Sequence, residues 1–303
     1  MQFAARPVRF LNEYLWLDDC AVLFQTSLRI AAAFPLDVKR AVRLYIDCEH
    51  WGEDLLRRAC DAECELLATQ CVRRWTPDGG WTTEHAATFS HPCVMQWCRA
   101  QGCTWNTATC WTAAKSGHMR VLQWCRANSC EWDWCTCEMA ARRGDLPMLQ
   151  WLHSQGCPWL CTTTWQAARR GDLEMLQWCR SRGCSWDKQT CSIAAHEGHF
   201  HVLRWCREQG CPWDAWTSYG AVQRGDMSML EWCASQGCPN HRYACTAAAE
   251  EGYLEVLKWC RERGCPWDEE TCEAAAGGGH LEVLQWCRAQ GCPWNERTCA
   301  KAA

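Results

Sequence analysis

From about residue 78 onward, the hydrophobic and polar positions follow a pattern that renews itself every 27 residues. Trp97, Trp124, Trp151, Trp178, Trp205, Trp232, Trp259 and Trp286 keep that spacing. Trp105, Trp132, Trp159, Trp186, Trp213, Trp267 and Trp294 keep it as well, with Asn240 at the one gap. A third column is glycine, from Gly117 through Gly144, Gly171, Gly198, Gly225 and Gly252 to Gly279, and alanine pairs such as Ala194/Ala195 and Ala275/Ala276 form a fourth. A fixed period of this kind belongs to an array of stacked units.

Within one unit the pattern predicts two short helices. Thr271 to Ala276 places small residues where a neighbouring backbone must come close, and Gly279 breaks that helix. Leu281, Val283, Leu284, Trp286 and Cys287 occupy more than one side of a second helix, as expected where both flanks pack on adjacent units. Gly291 ends the second helix and Pro293 prevents its continuation. A unit this short buries little alone, so its neighbours must complete the core. A buried Trp removes ~150–250 Å² from water, roughly 4–6 kcal/mol of gross transfer energy, so both tryptophan columns are expected in that core.

Residues 1–77 do not keep the period. Leu56, Cys60, Cys64, Leu67 and Cys71 form a helical stripe, and Pro35, Gly52 and the Thr76-Pro77-Asp78-Gly79-Gly80 turn divide the region. We read it as a helical N-terminal cap or linker, with a degenerate F-box-like adaptor as the alternative. Residues 78–303 are the array, its last repeat incomplete: Thr298 to Ala303 begins a first helix without a second. The chain is accordingly a fragment of a longer protein or ends in a frayed helix, with fast amide exchange expected after about Asn295.

The unit resembles the ankyrin repeat. Thr271-Cys272-Glu273-Ala274-Ala275-Ala276 is similar to that family's T-P-L-H-x-A-A stretch, Gly279-His280-Leu281-Glu282-Val283-Leu284 to its G-H-L-E-V-V, and Gly291-Cys292-Pro293-Trp294-Asn295 to its G-A-D-V-N. The resemblance covers roughly residues 78 to 303 in eight units. It implies an all-α, ankyrin-like helical-repeat solenoid of about eight helix-turn-helix units. One departure matters: the period is 27 rather than the family's ~33, and the missing residues fall where ankyrin repeats extend a hairpin finger. The finger is expected to be a short turn, so binding through finger tips is not carried over.

The 303 residues include 29 Cys, most of them in three repeat columns typified by Cys272, Cys287 and Cys292. The odd count, the charged start of the chain and the absence of an Asn-x-Ser/Thr sequon favour reduced thiols in an intracellular protein, cytoplasmic or nuclear. Leu152, Thr164 and Ser218 replace cysteines within those columns, as at packing positions, where free Cys is a small buried hydrophobe. A metal-binding cysteine-rich array is the remote alternative. Its densest candidate is Cys191 with His196, His199 and His201. His199, however, falls in a column shared with His118, Asp145, Asp172, Asp226 and His280 at the start of the second helix, where Asp caps. No metal ligand and no cofactor are assigned.

Framework columns repeat and surface columns vary, so variability between units marks solvent-facing positions. The column Trp111, Glu138, Trp165, Ser192, Tyr219, Thr246, Glu273 varies, yet carries large aromatics. Trp134, Trp216 and Tyr243 lie close to it at the approach to the first helix. Exposed aromatics of this kind serve as binding hot spots. Lys115, Arg142, Arg143, Arg169, Arg170 and Arg224 add a basic band at the first-helix ends, whereas Glu250, Glu251, Glu269, Glu270 and Glu273 make the C-terminal units acidic. Trp111, Trp134, Trp165, Trp216, Tyr219, Arg142, Arg143, Arg169, Arg170 and Arg224 are therefore the candidate partner-binding residues, on the first-helix or concave face. Arg beside Trp suits an acidic peptide or surface with apolar anchors.

A net charge of −4 disfavours nucleic acid, no apolar run approaches a membrane span, and no G-x-S-x-G, Walker A, H-E-x-x-H or dinucleotide fingerprint appears. The expectation is a non-enzymatic, monomeric protein-protein interaction module, with a structural spacer or scaffold segment as the alternative.

Overall fold

The computed structural model describes residues 83–90, 92–100 and 102–301. Region 1–77, expected as a helical cap, lies outside the described residues. Every regular element among the described residues is an α-helix. The chain divides into two compact units, one up to Pro158 and one from Trp159.

In the first unit the described helices are α1 (Thr83–Ala86), α2 (Pro92–Ala100), α3 (Thr107–Ser116), α4 (Met119–Ala127), α5 (Trp134–Arg143) and α6 (Leu146–Ser154). The second contains α7 (Cys161–Arg170), α8 (Leu173–Ser181), α9 (Lys188–His196), α10 (Phe200–Glu208), α11 (Ala215–Gln223), α12 (Met227–Ser235), α13 (Ala244–Glu250), α14 (Leu254–Glu262), α15 (Glu269–Gly277), α16 (Leu281–Ala289) and α17 (Glu296–Lys301). Odd-numbered helices are the first of each pair and even-numbered the second: eight pairs, then α17 alone. Between pairs the connection is short, for example residues 209–214, so the expected finger is a turn.

The repeated sequence explains the boundaries. Asp133, Asp187, Asp214 and Asp268 each accept a hydrogen bond at 3.0 Å from the backbone N–H two residues on, opening α5, α9, α11 and α15. Asp145, Asp172 and Asp226 cap α6, α8 and α12 at 2.9–3.0 Å. Where histidine takes that second-helix column it reaches back to the preceding repeat instead. His118 Nε2–H donates to the Thr88 carbonyl at 2.8 Å, and His199 Nε2–H to the Arg169 carbonyl at 3.0 Å.

The fully buried core is made of modest side chains. In α9 they are Thr190, Cys191, Ala194 and Ala195, in α10 Val202, Leu203 and Cys206, and the other pairs repeat this set. A close approach between first helices is marked by Gly220 in α11, where a Cβ would lie 2.6 Å from the backbone nitrogen of His196 in α9. The tryptophan columns differ from expectation. Trp259 is buried, but Trp124, Trp151, Trp178, Trp205, Trp232 and Trp286 are half-buried and Trp294 is 47% exposed. An indole is too large for an interface set by alanine and cysteine, so the rings roof the helices. Every loop Trp from Trp105 to Trp267 meets the next helix Trp edge-to-face, as in Trp105–Trp124 at 5.7 Å in the first unit and Trp186–Trp205 at 5.7 Å in the second. An arginine lies over most loop rings, Arg126 over Trp132 at 4.4 Å and Arg207 over Trp213 at 4.3 Å among them. Arg207 Nη1 also donates to the Cys211 carbonyl at 3.0 Å, so this ladder is occupied by its own contacts.

Candidate interaction surface

The candidate binding residues divide between the two units, and each unit is treated separately. In the first unit, Trp134 opens α5 with 37% of its surface exposed, while Trp111 in α3 is half-buried. Arg142 and Arg143 end α5 and are both exposed. Arg143 has a structural use: its Nη1 donates to the Lys115 carbonyl at 3.1 Å, and its guanidinium covers Gly117 so closely that a Cβ there would lie 2.4 Å from it. Gly117, at φ 82°, suits that notch on both backbone and steric grounds.

In the second unit, Trp165 is half-buried and its Nε1–H donates to Asp187 Oδ1 at 2.7 Å. Its indole therefore holds the next repeat's cap as well as facing outward. Arg169 pairs with Glu197 at 3.6 Å across exposed surface, an interaction worth under about 1 kcal/mol. Arg170 is exposed at the end of α7. Arg224 covers Gly198 and donates to the His196 carbonyl at 3.5 Å, repeating the Arg143 arrangement. The basic band thus comprises two guanidiniums placed over glycines and others left at the surface.

The aromatics of this unit converge further along. Trp216 is 52% exposed, and Tyr219, one turn later on α11, meets it edge-on at 5.3 Å. His241, only 8% exposed, sits 4.4 Å from Trp216 and 4.7 Å from Tyr219, measured between ring centres. Tyr243, 40% exposed, lies 5.6 Å beyond His241, with the Arg242 guanidinium over its ring at 4.6 Å. The result is a contiguous patch built from the starts of α11 and α13. Burial, then the nearby Glu250 and Glu251 carboxylates, raise the Tyr219 phenol. Burial, then Arg242, lower the His241 imidazole.

His241 was not among the candidate residues, although the repeat signals it. The cap column reads Asn106, Asp133, Leu160, Asp187, Asp214, His241, Asp268, Asn295, so a histidine stands where carboxylate or amide is the rule. The position 22 residues earlier contacts this cap in several repeats: Glu84 with Asn106, Trp165 with Asp187, Tyr219 with His241, and Glu273 with Asn295. Tyr219 is therefore both a surface aromatic and the partner matched to an aromatic cap.

The cysteines form no comparable surface. Cys130 in the first unit, and Cys184, Cys211, Cys238 and Cys292 in the second, each donate a thiol at 3.4–3.5 Å to the carbonyl of the cap residue one repeat earlier. Thr164 and Ser218, which stand for cysteine in the separate first-helix column of Cys191 and Cys272, donate to the Ser185 and Pro239 carbonyls at 3.3 and 2.8 Å. Burial pushes the Cys98 and Cys272 thiols up to about 12, and hydrogen bonds to Cys206 and Cys211 followed by burial raise Cys191. Thiols raised in this way are poor thiolates. His196 meets Gln223 at 3.2 Å, and His201 Nε2–H donates to the Gly171 carbonyl at 3.1 Å, so these histidines have separate partners. Among the described residues, no group of three or more His, Cys, Asp or Glu is placed to hold a metal ion.

Residues 110–153, spanning α3 to α6, match the family described as ankyrin repeats (many copies). That segment carries ankyrin repeats. The 27-residue period of the sequence continues on both sides of the matched segment. No curated protein matches the chain. Among solved structures, the crystal structure of the human ASB11 ankyrin repeat domain is similar at 17% identity, covering 51% of this chain and 83% of that one, with a TM-score of 0.42. Ankyrin repeats are in general non-enzymatic protein-protein interaction modules. No helix among the described residues is long and apolar enough to cross a membrane.

Proposed function

We propose that this ankyrin array binds a partner protein on the first-helix side, with Trp216, Tyr219 and Tyr243 as the anchoring patch of the second unit. The observation that carries the reading is the exposure of Trp216 and Tyr243, at 52% and 40%, on successive repeats at equivalent positions. The other residues of that column are Ala108, Cys135, Thr162, Gln189, Glu270 and Arg297, so the repeat itself does not require an aromatic there. Large, stiff, amphipathic rings of this kind supply most of the energy at protein interfaces. The partner is one that presents apolar or aromatic side chains to the patch. The array positions that partner and performs no chemistry on it, within a reducing compartment that suits its many thiols.

A second reading places an acidic peptide or surface on the arginines of each unit, Arg142 with Arg143 and Arg169 with Arg170. Adjacent exposed guanidiniums at the last turns of α5 and α7 favour it. Cross-linking capture separates the readings, using the full chain, the Trp216→Ala/Tyr243→Ala variant and the Arg142→Glu/Arg170→Glu variant. Loss of one captured protein with the aromatic variant alone is expected. Loss with the arginine variant alone supports the acidic partner, and capture unaffected by either rejects both surfaces.

A further inference from the structure

His241 stands in the cap column two residues before Tyr243, the residue that directly precedes α13, and fastens the turn that leads into that helix. Its Nδ1 accepts the Tyr243 backbone N–H at 3.3 Å, the same two-residue step by which Asp214 and Asp268 accept at 3.0 Å. An imidazole can do this only with Nδ1 unprotonated. A carboxylate cap survives mild acidification, whereas an imidazolium would turn an N–H toward the Tyr243 N–H and set a positive charge at a helix N-terminus. The same ring is the contact between Trp216 and Tyr219 on α11 and Tyr243 at the start of α13.

We propose that His241 is a pH-sensitive cap on the turn entering α13, whose protonation unlocks that turn and takes apart the aromatic patch, so that partner binding weakens on acidification. The last clause rests on the binding reading above; the cap itself does not. The surrounding charges favour release. On its own turn, Arg242 opposes a second positive charge. From the start of α11, Asp214 favours the imidazolium, but it already accepts from Trp216 N–H at 3.0 Å and from Lys188 Nζ of α9 at 3.0 Å. Glu250 and Glu251, at the far end of α13, act on Tyr219. Burial of the ring opposes protonation in the closed arrangement and so makes protonation and opening one event.

The test is amide hydrogen exchange of the full chain at about pH 7.5 and about pH 5.5, corrected for the chemical exchange rate. Wild type and His241→Asn are compared; Asn is the residue found in this column at Asn106 and Asn295. Protection across residues 242–247 should fall about fivefold on acidification in wild type, the worth of one N-cap, with α9 as internal reference, and should hold in the variant. Unchanged protection in wild type, or an equal fall in His241→Asn, overturns the cap. Capture at the two pH values then addresses binding separately. An exchange switch with pH-independent capture overturns the binding clause and leaves the cap standing.

Discussion

Two sets of aromatic side chains in the second unit differ in one respect, periodicity, and in consequence in nearly everything else. The Trp159–Trp178, Trp186–Trp205 and Trp213–Trp232 pairs recur with ring centres 5.6–5.8 Å apart. Their rings are half-buried against the array. Trp216, Tyr219, His241 and Tyr243 cluster at one place, in columns whose residue type varies from repeat to repeat, and leave the Trp216 and Tyr243 rings 52% and 40% exposed. A side chain that the stacking uses recurs from unit to unit, as the loop tryptophan does at every position but Asn240. One that appears in a single place serves something that place alone does. The comparison therefore separates structural aromatics from recognition aromatics within a single chain.

The largest effect should come from breaking the ladder. Trp186→Ala removes the edge contact to Trp205 at 5.7 Å and the Arg180 stacking at 4.1 Å, and should destabilise by about 2–3 kcal/mol in denaturant unfolding. Next is Gly220→Ala. The gain in helix propensity, about 1 kcal/mol, is outweighed by a Cβ 2.6 Å from the His196 backbone, giving a net loss of about 1–2 kcal/mol by the same measurement. Asp187→Ala sharpens the comparison from the other side. It removes a cap at 3.0 Å and releases the Trp165 indole, a loss of about 1 kcal/mol with increased solvent exposure of that ring.

The smallest effect is the pH dependence of the patch. His241 has a lowered folded-state pKa, so the unfolded chain binds the proton more readily, and stability rises with pH through this group. Its contribution is fully present above the ordinary value of 6.5 and is lost as pH falls below it toward the folded value. The unfolding midpoint of wild type relative to His241→Asn should therefore decline below about pH 6.5.

Much of the fold was legible because the repeat states each structural requirement many times. The cap aspartates, the glycine notches and the short turns all follow from columns, and the appearance of Thr164 and Ser218 in a column otherwise held by cysteine already marked a packing position. The depth of the tryptophans was not legible. Periodicity says that a side chain is needed, but Trp205 is held at the roof by the narrowness of the alanine and cysteine interface beneath it, which only the packed structure reveals. The patch was half legible. Trp216 and Tyr219 stand out as large aromatics in variable columns, while His241, although it departs from a column of carboxylates and amides, is not a conspicuous anchor. Its significance comes from the ring contacts that topology creates between α11 and α13. The arginines were legible as a basic band, yet the placement of Arg143 and Arg224 over Gly117 and Gly198 depends on three-dimensional contacts between successive repeats.

The most direct test is a pair of thermal melts on the full chain, Trp205→Ala beside Trp216→Ala. The account predicts that loss of the periodic Trp205 lowers the midpoint by several degrees, whereas loss of the singular, 52% exposed Trp216 shifts it by about a degree or less. Equal shifts, or a larger one for Trp216, would contradict the division of these aromatics into those that hold the array together and those that meet a partner.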